Sequence, residues 1–201
     1  SGAIGWTITE ENFMKSLRDK HIIDMLKFRA SYGEIGDDNL GDPFDSSRRW
    51  LYMNQWAYGG NTVMDLDHTN SIYTWYRQNT LGNKDVKWET VKKTNFGVDY
   101  GFLGGLITGS LDFFCDRRND ILIFGDNRSI PSYFGTTAPT INKGKVRTSG
   151  YELELKLNKK FANGIRLWGN FNMTHAKNKV LLKDDAQLTP NYQKEAGYSM
   201  G

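Results

Sequence analysis

Residues 86–123, VKWETVKKTNFGVDYGFLGGLITGSLDFFCDRRNDILI, decide how the chain is read. Phe96, Val98, Tyr100 and Phe102 fall on one side of an extended backbone, and Asn95, Gly97, Asp99 and Gly101 on the other. That period of two marks a strand with one apolar and one wet face. After Gly104-Gly105 the pattern restarts, with Ile107, Gly109, Leu111, Phe113 and Cys115 set against Thr108, Ser110 and Asp112. Two such arms around a glycine turn make a hairpin, and each arm reaches the roughly nine to eleven residues needed to cross a bilayer.

Outward from this hairpin the alternation recurs. Upstream, Leu26, Phe28, Ala30 and Tyr32 alternate with Lys27, Arg29, Ser31 and Gly33, a strand running into Gly36-Asp37-Asp38. Ile4, Trp6 and Ile8 put a strand over residues 2–9. Thr9 before Glu10-Glu11 reads as a helix N-cap, with Phe13, Met14 and Leu17 on the apolar side of a short helix. Downstream, Tyr151, Leu153, Leu155 and Leu157 alternate with Glu152, Glu154 and Lys156. After NKKFANG, Ile165, Leu167, Gly169, Phe171 and Met173 alternate with Arg166, Trp168, Asn170, Asn172 and Thr174. From Lys177 onward no element is evident.

Between these arms the spacing is lopsided. Residues 39–84 read as a long polar, aromatic loop carrying its own hairpin, with candidate strands at 49–58 and 71–78 and turn signals at GDPFDSSRR, Gly59-Gly60 and NTLGNK. Residues 126–146, with Pro131, Gly135, Pro139 and Gly144, read as another long loop. Short turns at one end and long loops at the other characterise outer-membrane barrels, whereas a soluble β-sandwich spreads shorter strands more evenly.

Composition agrees. Ten Tyr, eleven Phe and six Trp with 21 Gly and 4 Pro favour an all-β, turn-rich protein. A mean hydropathy of −0.60, with no run approaching eighteen apolar residues, argues against a helical membrane protein but not against a barrel, whose strands average to mild polarity. The 26 basic and 23 acidic residues are interspersed, which gives no case for nucleic acid. Cys115, the single cysteine, allows no internal disulfide and reads as a small apolar residue on a buried or lipid-facing side. The opening SGAIGWTIT, already strand-like, reads as a mature segment cut from something longer.

Chemistry-bearing clusters are sparse. Asp65, Asp67 and His68 in MDLDH match neither an EF-hand nor a zinc spacing. Glu152 and Glu154 stand about 7 Å apart on one strand face, within the range of glycosidase carboxylates. With Lys156 beside them, a solvated row accounts for them without catalysis. GFLGG lacks the strand-to-helix context of a phosphate loop, and no G-x-S-x-G occurs, so neither enzyme nor cofactor is expected. The loop aromatics Trp50, Tyr52, Trp56, Tyr58, Tyr73, Trp75 and Tyr76 either stack on sugar rings or pack the loop and a protein partner. Trp50, Tyr52, Trp56, Tyr58 and Trp75 are the candidate substrate contacts.

The blocks LKFRASYGEIGDDNL (26–40), VKWETVKKTNFGVDYGFLGGLITGSLDFF (86–114), TSGYELELKL (148–157) and WGNFNMTHAKNKV (168–180), with spaced Pro131, Gly135 and Asn142-Lys143-Gly144, together resemble the SusC/RagA-like TonB-dependent outer-membrane transporters. GWTITEENFMK (5–15) and EAGYSMG (195–201) are further landmarks, so the ordered resemblance spans nearly the whole chain. It implies that residues 1–201 are part of a roughly twenty-two-stranded antiparallel barrel, contributing about six strands, with long extracellular loops and short periplasmic turns. The plug, the segment that contacts the TonB complex and the remaining strands would lie outside the chain. The whole protein would import glycan or peptide fragments across the outer membrane of a Gram-negative bacterium beneath a SusD-like surface lipoprotein. The apolar faces would then meet lipid, with Tyr100 and Phe102 near an aromatic girdle and Trp168, on the opposite parity, either in that girdle or packed inside. Asp99, Asp112, Glu152, Glu154, Arg166 and Asn170 would face the interior or the plug. A Lys or Arg facing lipid at the midplane would cost about 2–4 kcal/mol. Two alternatives remain at this point: a secreted carbohydrate-binding β-sandwich, and a hydrolase using Glu152 and Glu154.

Overall fold

The computed structural model describes residues 1–38, 49–63, 72–186 and 188–200. Its strands are β1 (Gly2–Thr7), β2 (Ile23–Asp37), β3 (Gln55–Val63), β4 (Ile72–Thr80), β5 (Glu89–Phe102), β6 (Ile107–Ile123), β7 (Ile141–Lys160) and β8 (Arg166–Leu182), with a short helix α1 (Lys15–Asp19). The hairpin expected over residues 86–123 is β5 and β6, paired from Phe102↔Ile107 to Thr90↔Asn119. Its turn runs through Leu103, Gly104 and Gly105, all at positive φ. Two adjacent glycines make such a left-handed run cheap. Asp24 at the start of β2 pins the turn by accepting the Gly105 N–H at 3.0 Å.

Six strands form one antiparallel sheet in the order β1-β2-β5-β6-β7-β8, and β3 and β4 pair separately. The registers carry each apolar face across the sheet. Phe28, Val98, Leu111, Leu153 and Met173 lie in one row, and Ala30, Phe96, Phe113, Tyr151 and His175 in the next. Gly109 on this face is covered by a neighbouring ring. The Tyr100 ring lies over Gly109, where a Cβ would come within 2.7 Å of its hydroxyl, and that hydroxyl donates to the Glu154 carbonyl at 3.0 Å. Tyr100 also stacks on Phe102, with ring centroids 5.7 Å apart, at the short-turn end.

Nothing in the described chain covers this face. The only buried apolar side chains among the described residues are Met14, Val91, Ile123, Ala138 and Val180, while Phe96, Phe113, Leu157 and Phe171 remain exposed. A sheet with one apolar face must bury it against something. A β-sandwich would do so with a second sheet, but the other described sheet is only the two-stranded β3-β4. The sandwich alternative therefore fails on architecture.

Several expected boundaries move. Residues 2–9 are not all strand: β1 ends at Thr7, and Ile8–Glu10 is a 3-10 turn. Thr9 is not a helix cap, since the helix begins only at Lys15; instead Thr9 is buried and its hydroxyl accepts the Leu26 N–H at 3.4 Å. Phe13 points to solvent while Met14 is buried, so the two do not share a face. The loop strands are displaced from 49–58 and 71–78 to Gln55–Val63 and Ile72–Thr80. Gly59-Gly60 is not a turn but a bulge within β3, where the Trp75 ring leaves no room for a Cβ on Gly59. β7 starts at Ile141, inside the expected loop, and β8 continues to Leu182, where no element was expected.

Candidate functional site

On the polar face, three strands converge on one charge cluster. Arg29 of β2 donates through Nε and Nη2 to Asp99 of β5, both at 2.9 Å, and through Nη2 to Asp112 of β6 at 3.0 Å. Gly97 lies between Arg29 and Asp112 in register, and its missing side chain makes the bridge possible. A Cβ there would stand 2.5 Å from the Asp112 carboxylate and 2.8 Å from the Arg29 guanidinium. Glu154 pairs with Lys156 of the same strand at 2.8 Å. By register, Asp99 and Glu154 flank Ser110, and Glu152 faces Asp112, so the polar residues expected on one face do share it. The hydrolase reading loses its isolated carboxylate pair, because Glu154 is engaged by a lysine.

Toward the long-loop end this face opens into a cavity of about 610 Å³. Val91, Val146 and Val180 contribute apolar surface, while Lys93, Arg118 and Glu195 bring charge. Lys93 is paired with Asp116 at 3.3 Å and Lys183 with Glu195. Arg118 has no acidic partner among the described residues, so it is available to an anionic group entering the cavity. The chain after β8 closes one side by turning back along that strand. Val180 donates to the Tyr198 carbonyl and accepts the Gly197 N–H, both at 2.8 Å.

Asp184 staples this return segment. It accepts from Arg128 at 3.3 Å and Lys143 at 2.6 Å, joining it to the β6–β7 loop and to β7. Burial alone would raise its carboxyl pKa, but the hydrogen bonds from Lys143 and Arg128 outweigh that and hold it below the ordinary carboxylate value.

The candidate aromatic contacts do not form one platform. Trp56 and Tyr58 lie on the same face of the β3-β4 hairpin, where Tyr58 meets Tyr76 edge-on at 6.1 Å and donates to Asn61 at 2.8 Å. Trp75 lies on the opposite face over Gly59. Trp50 and Tyr52 precede the hairpin and pack edge-on against each other at 6.1 Å. The five thus divide among three places, and the Trp56–Tyr58–Tyr76 face, with a polar Asn61 beside it, is best suited to a sugar ring. Asp65, Asp67 and His68 lie outside the described residues. The loop base is tied down by Asn83, which donates to the Thr140 carbonyl at 2.9 Å, and by a Thr80↔Thr137 bridge.

The profile of the family described as "TonB dependent receptor-like, beta-barrel" matches residues 4–198. The chain belongs to the TonB-dependent receptor β-barrel family. TonB-dependent receptor P39 of Formosa agariphila is 32% identical over 201 residues, covering 98% of this chain and 17% of that protein. TonB-dependent receptor SusC of Bacteroides thetaiotaomicron is 31% identical over 154 residues, covering 76% of this chain and 14% of SusC. Among solved structures, the RagAB peptide importer in its closed-closed state superposes with a TM-score of 0.67 at 20% identity, over 98% of this chain and 20% of the other. The RagAB peptide transporter gives 0.68 at the same identity and coverage. At that identity the likeness concerns the fold. These relatives are receptors and transporters, not enzymes.

The chain therefore spans less than a fifth of the sequence relatives it matches, and its six-stranded sheet is an unclosed part of a TonB-dependent receptor barrel. In such a barrel the apolar face turns outward and the polar face inward. Sequence reasoning placed Asp99 and Asp112 on the polar face but did not find Arg29 as their common partner. Fixing the turn at residues 103–106 puts Gly97 opposite Asp112, and that register was the available signal.

Proposed function

We propose that this chain is a wall segment of a SusC/RagA-type importer in the outer membrane of a Gram-negative bacterium. Residues 1–201 form part of its barrel, with the plug and remaining strands outside the chain. The short turns face the periplasm and the long loops the outside. The full-length protein takes up glycan or peptide fragments beneath a SusD-like surface lipoprotein. A TonB complex supplies energy through a segment outside this chain, and no cofactor or catalytic residue takes part. In this reading Trp50, Tyr52, Trp56, Tyr58 and Trp75 contribute contacts to substrate or lipoprotein at the long-loop end.

The observation that carries the proposal is the row-by-row apolar face left uncovered on a sheet that superposes on the RagAB importer. The test is fractionation and uptake with the full-length protein. It should require detergent for extraction, bring down a surface lipoprotein, and support growth on an oligosaccharide or oligopeptide only when the TonB complex is intact. Recovery in the soluble fraction without detergent, or growth independent of TonB, contradicts it.

A further inference from the structure

The outward face ends at the long-loop side in a row of a different kind. By register, Glu34, Lys92, Arg117, Arg147 and Lys179 occupy successive strands β2, β5, β6, β7 and β8 at one level, with Lys177 one row below. They share the face of Phe96, Phe113 and Tyr151, because each lies an even number of residues along its own strand from those side chains. All five cations are exposed. Lys92 reaches Glu34 only at 4.0 Å, and no carboxylate among the described residues pairs with Arg117, Arg147, Lys177 or Lys179.

Like charges directly opposite one another on paired strands are destabilising. Here Arg117 faces Lys92 on one side and Arg147 on the other, and Arg147 in turn faces Lys179. The row becomes favourable once anions sit against it. Its level fits a lipid headgroup. From Phe102 to Thr94 the outward face rises about 26 Å along the strand, or about 20 Å after a tilt of about 40°, close to the ~25 Å apolar band of such barrels. The cations begin immediately above. Trp88, 70% exposed beside Gly36, and Tyr32, 51% exposed, flank that level, as aromatic side chains do at a membrane interface. At the short-turn end, by contrast, β7 and β8 bring only Lys159 to the outward face just beyond the Leu157↔Gly169 row.

We propose that Lys92, Arg117, Arg147 and Lys179 form a binding belt for the phosphate groups of anionic glycolipid in the outer leaflet. This rests on the outer-membrane reading given above. The two arginines take phosphate oxygens in bidentate fashion and the lysines as point charges. Lipid bound this way also covers the apolar rows beneath with its acyl chains.

The experiment uses the full-length receptor in a neutral detergent, with bisphosphorylated lipid A, its dephosphorylated form and inorganic phosphate as probes. Thermal unfolding and native mass spectrometry report binding. Bisphosphorylated lipid A should raise Tm by several degrees, and the other two should not. In the variant K92Q/R117Q/R147Q/K179Q, lipid affinity should fall by about two orders of magnitude at low salt, with Tm in the absence of lipid unchanged or higher. K159Q should respond like the wild type. A variant exchanging Lys and Arg at the four positions keeps the charge and should keep the response even if the neutral variant folds poorly. An undiminished response in the neutral variant, loss of response in the exchange variant, or an equal response to inorganic phosphate overturns the belt. Soluble, detergent-free wild-type protein would instead defeat the outer-membrane reading itself.

Discussion

Replacing Arg29 by Met removes the guanidinium that joins three strands while retaining most of the side-chain volume. Three charge-assisted hydrogen bonds are lost, from Nε and Nη2 to Asp99 at 2.9 Å and from Nη2 to Asp112 at 3.0 Å. Such bonds contribute about 1.5–3 kcal/mol each. The carboxylates left behind are only 24% and 17% exposed, but the arginine itself is 38% exposed, so water offsets part of the loss. A net cost of about 2–4 kcal/mol follows. The assay is thermal or denaturant unfolding of the full-length receptor in detergent, read by heat-modifiable mobility on a gel. D99N and D112N complete double-mutant cycles with R29M, and each pair should show coupling of about 1 kcal/mol or more. K27M, a neighbouring cation on the same face with no described ion pair, is the control and should change little. Refutation would be R29M behaving like K27M, or cycles with no coupling.

Three further outcomes follow from the same geometry. Gly109→Val should destabilise the wall by more than about 2 kcal/mol, because a Cβ there meets the Glu154 carbonyl as well as the Tyr100 ring; unchanged unfolding would contradict the packing described. Asp184, with its pKa held low in the folded protein, contributes stability that is present above the ordinary carboxylate pKa of about 4 and lost as pH falls through the folded value. D184N should remove that part of the acid sensitivity and cost about 1–2 kcal/mol at neutral pH, both measurable by unfolding between pH 3 and 7. Removing Trp56 and Tyr58 together should weaken sugar or peptide uptake about tenfold or more without altering barrel stability, whereas W75A, which uncovers Gly59, should loosen the hairpin, as hydrogen exchange on β3 and β4 would show.

The wall was legible in the sequence wherever one side of a strand meets hydrocarbon. Phe96 to Phe102 and Tyr151 to Leu157 alternate because a polar side chain on that face is heavily penalised, so their strands could be placed and their polar neighbours assigned. Beyond the hydrocarbon the penalty ends and so does the pattern. Residues 141–146, INKGKV, and 177–182, KNKVLL, continue β7 and β8 with Gly144 and lysines in place of the apolar alternation, which is why the first read as loop and the second as no element. The loop hairpin was placed early because Trp50 and Tyr52 look like strand aromatics but pair with each other in a turn, and because Gly59-Gly60 looks like a turn but accommodates the Trp75 ring. The Arg29 cluster joins residues 70 and 83 positions apart, and no local pattern reports such a contact.

The central claim is that the row Phe28, Val98, Leu111, Leu153, Met173 faces lipid and the row of Arg29, Asp112 and Glu152 faces water. Single cysteines placed in a C115S background of the full-length receptor, at Asn95, Phe96, Val98, Leu153, Glu154 and Leu155, can be spin-labelled in membranes and probed with oxygen and a water-soluble nickel chelate. Phe96, Val98, Leu153 and Leu155 should be accessible to oxygen and shielded from nickel, with Asn95 and Glu154 showing the reverse. Uniform accessibility along β5 and β7, or the opposite alternation, would contradict the account.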